Sequence, residues 1–181
     1  MAAFFTIGHS NRSVEAFAAL LCDAHVQLLV DVRAFPGSYT HPQFNEDVLP
    51  GSLAPLGIHY EHAAALGGRR GRAKQVPVEV NGFWSNQSFH NYADYALSGE
   101  FHAGLDRLIE QGHERCCAIM CSEAVWWRCH RRIITDYLIA RGETVLHILG
   151  HGQIGEGQLT AGAVLQADGT IHYPAVATSS A

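Results

Sequence analysis

Lysine is nearly absent: of the 12 basic residues, Lys74 is the only lysine, and the rest are arginine. Charge is scarce too, at 16% of residues with a net charge of −5. So acidic a chain is not a general binder of polyanions over its whole surface. No apolar run approaches the roughly 18–20 uncharged residues that a bilayer span requires, so no membrane partner is expected. The opening MAAFFTIGHSNRS has neither a basic segment nor a long apolar stretch, so it does not read as a signal peptide, and a cytoplasmic address is expected. Repeats and low-complexity tracts are also missing. The 5 cysteines are odd in number and do not suggest a disulfide scaffold.

What is present is a core. Hydrophobic residues make up 48% of the 181 positions, too many for a disordered chain, and the length suits one domain. Residues 1–173 are expected to form a single α/β domain and 174–181 a disordered tail. Phe4–Ile7 reads as a strand, and Ser13 caps a helix with Val14, Phe17, Leu20 and Leu21 on one face. Val26–Val32 is a continuous apolar run, as in a strand covered on both faces. That β–α–β unit implies a parallel sheet with a right-handed crossover.

The middle of the chain is irregular. A short helix within Glu46–Leu56 is interrupted by Pro50 and Gly51, and a strand spans Ile58–Glu61. Gly67–Arg72 is a basic glycine loop, and Gly82–Phe89 an aromatic, polar surface segment. Helices follow at Asn91–Leu97 and Phe101–Gln111, then a buried strand at Cys116–Cys121. Cys129–Arg141 reads as a helix burying Ile133, Ile134, Tyr137 and Leu138, and Thr144–Leu149 as a strand. Asp168-Gly169 marks a two-residue hairpin within Val164–Tyr173. The expected fold is a three-layer α/β sandwich around a mostly parallel sheet, with the irregular middle and a C-terminal β-hairpin.

Chemistry on such a sheet sits beyond the carboxyl ends of its strands. Those ends carry His9, Ser10 and Asn11; Asp31 and Arg33; Cys121, Ser122 and Glu123; and His151. A thiol at a strand end, before a helix N-terminus and near arginines, has a depressed pKa and is nucleophilic. Cys121 is that thiol here, with Arg128, Arg131 and Arg132 at i, i+3, i+4 on one helix face. In the strand–Cys–loop–Arg–helix plan of cysteine phosphatases and sulfurtransferases, five residues separate Cys from Arg; here six do, and the loop lacks glycine. Alternatively, Cys121, Cys129 and His130 ligate zinc or iron, although neighbouring helical side chains diverge by about 100°. Glu123 either pairs internally with Arg131 or orients Arg131 and His130 on a phosphate or carboxylate.

Several motifs carry a family resemblance. They are Thr6–Asn11; Asp31-Val32-Arg33 with Pro36 and Ser38; Phe44; and Leu66-Gly67-Gly68. Tyr92–Tyr95, Cys121-Ser122-Glu123, Cys129-His130-Arg131 and His147-Ile148 complete the set. From Thr6 to about Tyr173 the chain resembles the bacterial and archaeal domain-of-unknown-function family numbered 488. Members often carry proline between the Glu and Cys-His-Arg motifs, where this chain has Ala124-Val125-Trp126-Trp127. The resemblance implies an α/β fold without an established reaction, and it implicates the same strand-end residues.

The expected function is an enzyme with an anion-binding pocket, acting on a phosphate-bearing substrate such as a nucleotide or nucleic-acid base, without a cofactor. Cys121 is the candidate nucleophile. Asp31 or Glu123 acts as base or acid, and His9 or His130 moves a proton. Ser10, Asn11, Arg33, Arg69, Arg70, Arg128 and Arg131 bind the anion, while Trp84 and Trp126 stack a base. The alternatives are a non-catalytic nucleic-acid module, marked by steep salt dependence, and a metal-binding or redox-responsive protein using Cys121 and Cys129.

Overall fold

The computed structural model describes residues 3–177. Its elements run β1 (Ala3–Gly8), α1 (Val14–Asp23), β2 (Leu28–Asp31), α2 (Leu49–Leu53), β3 (His59–His62), α3 (Gln87–Tyr95) and α4 (Gly99–Glu114). They continue with β4 (Cys117–Cys121), α5 (Arg131–Ala140), β5 (Thr144–Gly150), β6 (Gln153–Glu156), β7 (Val164–Leu165) and β8 (Ile171–His172). Six strands form one sheet in the order β3-β2-β4-β1-β5-β6, parallel except for β6. Strands β7 and β8 form the separate C-terminal hairpin. No helix among the described residues is long and apolar enough to cross a membrane.

Side-chain alternation along the strands sorts the core into two layers. Phe4, Val30, Ile119 and Cys121 face α3, α4 and α5, whereas Ile7, Leu29, Ala118 and Met120 face α1 and α2. Each helix has a local reason to start where it does. Ser13 Oγ accepts from Ala16 N, Asn86 caps α3, and Ser98 Oγ accepts from Phe101 N at the head of α4. The C-terminal segment covers the outer side of α5: Tyr137 OH accepts from Ile171 N, and Tyr173 OH donates to Asp136.

Several local expectations change. Pro50 and Gly51 lie inside α2, since proline is tolerated in a first helical turn. Within the Gly82–Phe89 surface segment Ser85–Ser88 are exposed, but Trp84 is buried in the core. Helix α5 begins at Arg131, because Trp126–Arg128 first make a tight 3₁₀ turn. That turn takes Arg128 off the helix, so Arg128, Arg131 and Arg132 share no face. The C-terminal loop is longer than two residues: Gln166 N bonds to Thr170 O, and Gly169 takes φ +85°. The expected tail is described for residues 174–177; 178–181 lie outside the described residues.

The register aligns the strand ends. Gly8 sits opposite Cys121, and Asp31 opposite Met120. The ladder continues past the strands, with His9 N on Cys121 O at 2.9 Å and Ser10 N on Ser122 O at 3.0 Å. At this crossing a Cβ on Gly8 would collide with the backbone carbonyl of Glu123. Gly8→Ala is therefore expected to lower stability in urea unfolding by at least about 1–3 kcal/mol, the usual penalty of overpacking. An unchanged unfolding midpoint would contradict the packing described.

Candidate functional site

A cavity of about 580 Å³ opens over the carboxyl ends of β1, β2 and β4. His9, Arg33, Arg69, Cys121, Glu123, Arg128 and His130 from the expected set line it, together with Cys129. The loops therefore converge. The functional groups beneath the cavity form two buried clusters, one on each face of the sheet.

The first lies on the α1 side. Asp31 is fully buried, and Arg33 grips it through Nε (2.9 Å) and Nη2 (2.6 Å). Tyr60 OH adds a 2.5 Å bond to Asp31 Oδ2, and burial with this bond raises the Tyr60 pKa. Asp31 does not line the cavity, and its oxygens are occupied. It fixes Arg33 in place, a supporting position rather than the cavity-facing one expected of a general base. Arg33 Nη1 approaches His9 Nε2 at 3.4 Å. His9 Nδ1 donates to Ser10 O at 2.8 Å, so Nε2 carries the lone pair that faces Arg33. Phe44 stacks on the His9 ring at 4.4 Å. Burial, with Arg33 adding, holds the His9 pKa down at about 4, so the ring is neutral near pH 7.

The second lies on the α5 side. Cys129 Sγ accepts from Arg131 N at 3.3 Å and Arg131 Nε at 3.1 Å, and it meets Cys121 Sγ at 3.1 Å. With two N–H donors already on Cys129, the thiol proton of the pair belongs to Cys121, which donates. Burial alone would raise the Cys129 thiol. The hydrogen bond from Cys121, then those of His130 and the Arg131 charge, hold it well below the ordinary thiol range. Burial and the Cys129 partner push Cys121 the opposite way. The sulphur held toward the thiolate form is therefore Cys129 rather than the expected Cys121, which supplies a hydrogen bond to it. The sequence favoured Cys121 because it ends a strand; the intervening 3₁₀ turn brings Cys129 to the head of α5.

Arg131 is 1% exposed and lies below the cavity, outside its lining. Its Nη1 donates to Thr6 Oγ1 at 3.3 Å and its Nη2 to the Glu123 carbonyl at 2.5 Å. Burial beneath the cavity, with each guanidinium nitrogen already engaged, keeps Arg131 from clamping a substrate, and the expected Glu123–Arg131 ion pair is replaced by a backbone contact. Thr6 Oγ1 in turn shares a hydrogen bond with His147 Nδ1 at 2.7 Å. Burial, with Arg131 adding, lowers the His147 pKa to about 4.

Other expected residues lie elsewhere. Trp126 stacks on His147 at 4.2 Å, and Trp84 is buried against Phe89 and Tyr173, so neither faces the cavity. Arg70 donates to Gly67 O and Ala64 O and sits over the Tyr95 ring. Ser10 and Asn11 lie outside the lining; Ser10 adopts φ +50° while its carbonyl fixes His9. His151 reaches Asp23 instead, at 3.1 Å. The alternative metal set does not assemble. His130 Nε2 donates to Val32 O at 2.6 Å, and no three His, Cys, Asp or Glu side chains among the described residues are placed to hold an ion.

The glycine loop has a steric origin. A Cβ on Gly68 would come within 2.9 Å of His130 Nδ1. Tyr92 OH and Tyr95 OH, each at 2.7 Å, bind the carbonyls of Leu66 and Ala65 just before that loop. These contacts explain Leu66-Gly67-Gly68 and Tyr92–Tyr95 as supports for His130. A model of the family described as domain of unknown function DUF488 matches residues 13–138. The chain belongs to that family. No curated protein and no solved structure matches it. The DUF488 match includes the Cys-His-Arg motif but leaves out the β1 motif and His147, which meet it through Thr6 and Arg131.

Cavity residues that sequence reasoning missed include His41, Asn86, Phe89 and Tyr92. Ser38, Gly68 and Tyr92 had a signal as motif members without a role. His41, Asn86 and Phe89 had none, since their loops reach the site only through folding.

Unfolded imidazoles protonate near pH 6.5, whereas His9 and His147 do so at about 4 in the fold. Between these values the unfolded chain holds more protons, so stability falls on acidification, by up to about 1.4 kcal/mol per pH unit for each ring. His147→Gln is expected to flatten this dependence between pH 6.5 and 4 in urea unfolding. A slope equal to that of the unsubstituted protein would contradict the neutral, buried ring.

Proposed function

We propose that the cavity is the active site of a thiolate-dependent enzyme acting on a phosphate-bearing substrate, with a nucleotide or nucleic-acid base as the favoured class. One observation supports this most: a buried, charge-stabilised Cys129 sulphur faces the same cavity as two guanidinium groups without polar partners. The side chains of Arg69 and Arg128 make no hydrogen bond or ion pair among the described residues, in contrast to those of Arg33 and Arg131. Glu123 is the one exposed carboxylate lining the cavity, so the available charge there favours an anion. Guanidinium forks match phosphate oxygens well.

In this reading Arg69 and Arg128 hold the phosphate, and Cys129 attacks an electrophilic centre of the substrate. Glu123, at the solvent-facing rim, carries a proton to or from the reacting groups. Neutral His9 presents a lone pair whose orientation is set by the Ser10 carbonyl, and the Val32 carbonyl orients the His130 ring. The stacking role expected of Trp84 and Trp126 passes to Phe35 and Phe89, the phenyl rings in the cavity wall. Phe35 is 69% exposed and lies beneath the Arg69 guanidinium at 5.8 Å.

Calorimetric titration with inorganic phosphate and with adenosine monophosphate tests the binding half. Arg69→Ala combined with Arg128→Ala is expected to weaken both by tenfold or more while leaving the melting temperature within about 2 °C, since exposed unpaired side chains carry little stability. Unaltered binding, or none by the unsubstituted protein, would overturn the assignment. Any turnover found across a panel of phosphate esters and nucleotides must disappear in Cys129→Ser. Turnover that survives that substitution would refute the thiolate as nucleophile.

A further inference from the structure

We infer that Cys129 and Cys121 form a reversible oxidation site, in which a hydroperoxide oxidises Cys129 and Cys121 closes the product as a disulfide. The inference rests on the Cys129 thiolate of the proposed active site but needs no phosphate-bearing substrate. Three features of the structure carry it. The two sulphurs lie 3.1 Å apart, so reaching a disulfide length of roughly 2.05 Å takes an approach of about 1 Å. Both cysteines line the same open cavity, so a small oxidant can enter and water can leave. Arg131 donates to the Cys129 sulphur through its backbone N and Nε, as a nucleophilic thiolate requires, while the Cys121 sulphur donates to the Glu123 carbonyl at 3.8 Å. The two thiols are thereby inequivalent, one suited to attack and the other to resolve.

The chemistry balances in two steps. The Cys129 thiolate attacks one peroxide oxygen, the O–O bond breaks, and the departing alkoxide takes a proton from solvent to leave as an alcohol, or as water from hydrogen peroxide. Cys129 is now a sulfenic acid, oxidised by two electrons. The Cys121 sulphur then attacks the Cys129 sulphur. The S–S bond forms, the S–O bond breaks, and hydroxide leaves with the Cys121 proton as water. A dithiol reductant restores both thiols by exchange.

Closure has two consequences. It removes the nucleophile of the active site, and it takes from Arg131 the only anion bonded to it among the described residues. The reduced, thiolate form gains the benefit of that pairing. The disulfide should therefore be readily reduced, in the manner of couples whose reduced form is stabilised.

The test uses the full chain with Cys22→Ser and Cys116→Ser, which removes the two cysteines that reach solvent most. After treatment with hydrogen peroxide, tryptic mapping is expected to show the Cys121 and Cys129 peptides cross-linked, with reversal by dithiothreitol. In a Cys121→Ser version, dimedone is expected to label Cys129 as the trapped sulfenic acid. Mapping of the unsubstituted protein decides the case even if Cys121→Ser does not fold. Oxidation elsewhere, or at Cys129 without cross-linking to Cys121, would overturn the inference. Phosphate titration of the reduced protein separates the two readings. Cross-linking without phosphate binding sinks the proposed function alone, and phosphate binding without cross-linking sinks this inference alone.

Discussion

The buried Arg131 guanidinium must have an anion, and the chain provides a sulphur. A cation removed from water is strongly destabilising unless paired and hydrogen-bonded, and breaking a buried pair costs about 3–5 kcal/mol. Here Arg131 is met by the Cys129 sulphur, the Thr6 hydroxyl and the Glu123 carbonyl. That requirement fixes the thiolate, ties the head of α5 to β1, and holds the loop after β4 against both. The pairing is a folding constraint first, and its chemical consequence is a Cys129 sulphur held well below the ordinary thiol range.

The parallel sheet separates support from binding. Alternation along β1, β2 and β4 sends Thr6 and Cys121 to the α5 face and Asp31 to the α1 face, so the two buried arginines never compete for one partner. Each orders a group at the strand ends: Arg33 the neutral His9, and Arg131 the Cys129 sulphur. Arg69 and Arg128 stay outside these networks and face the cavity. Positive charge committed to structure and positive charge open to a ligand are thus different residues. The sequence, which shows only arginines near motifs, cannot make that distinction.

The layer order and the convergence of strand ends were legible because they follow from apolar period and from the rule that parallel sheets work at their carboxyl edges. Ser13 as a cap and Ile133, Ile134, Tyr137 and Leu138 as a buried face follow from purely local chemistry. Strand β6 was not legible: Gln153–Glu156 is short and mostly exposed, and it pairs only because Gly152, at φ +67°, turns the chain back on β5. The 3₁₀ turn at Trp126–Arg128 was hidden for a similar reason, and it decided which cysteine sits on Arg131. Arg131, Trp84 and Trp126 were misplaced because residue type shows capacity to bind, while burial decides whether that capacity is already used.

The most direct test is the pH dependence of Cys129 alkylation by iodoacetamide in the Cys22→Ser, Cys116→Ser background, followed by peptide mapping. The account requires a rate that is already at its plateau near pH 7, with a midpoint well below the roughly 8.5 of a free thiol. It also requires that Arg131→Gln move that midpoint upward. A midpoint at or above the free-thiol value in the arginine-containing protein, or one that Arg131→Gln leaves in place, would contradict it.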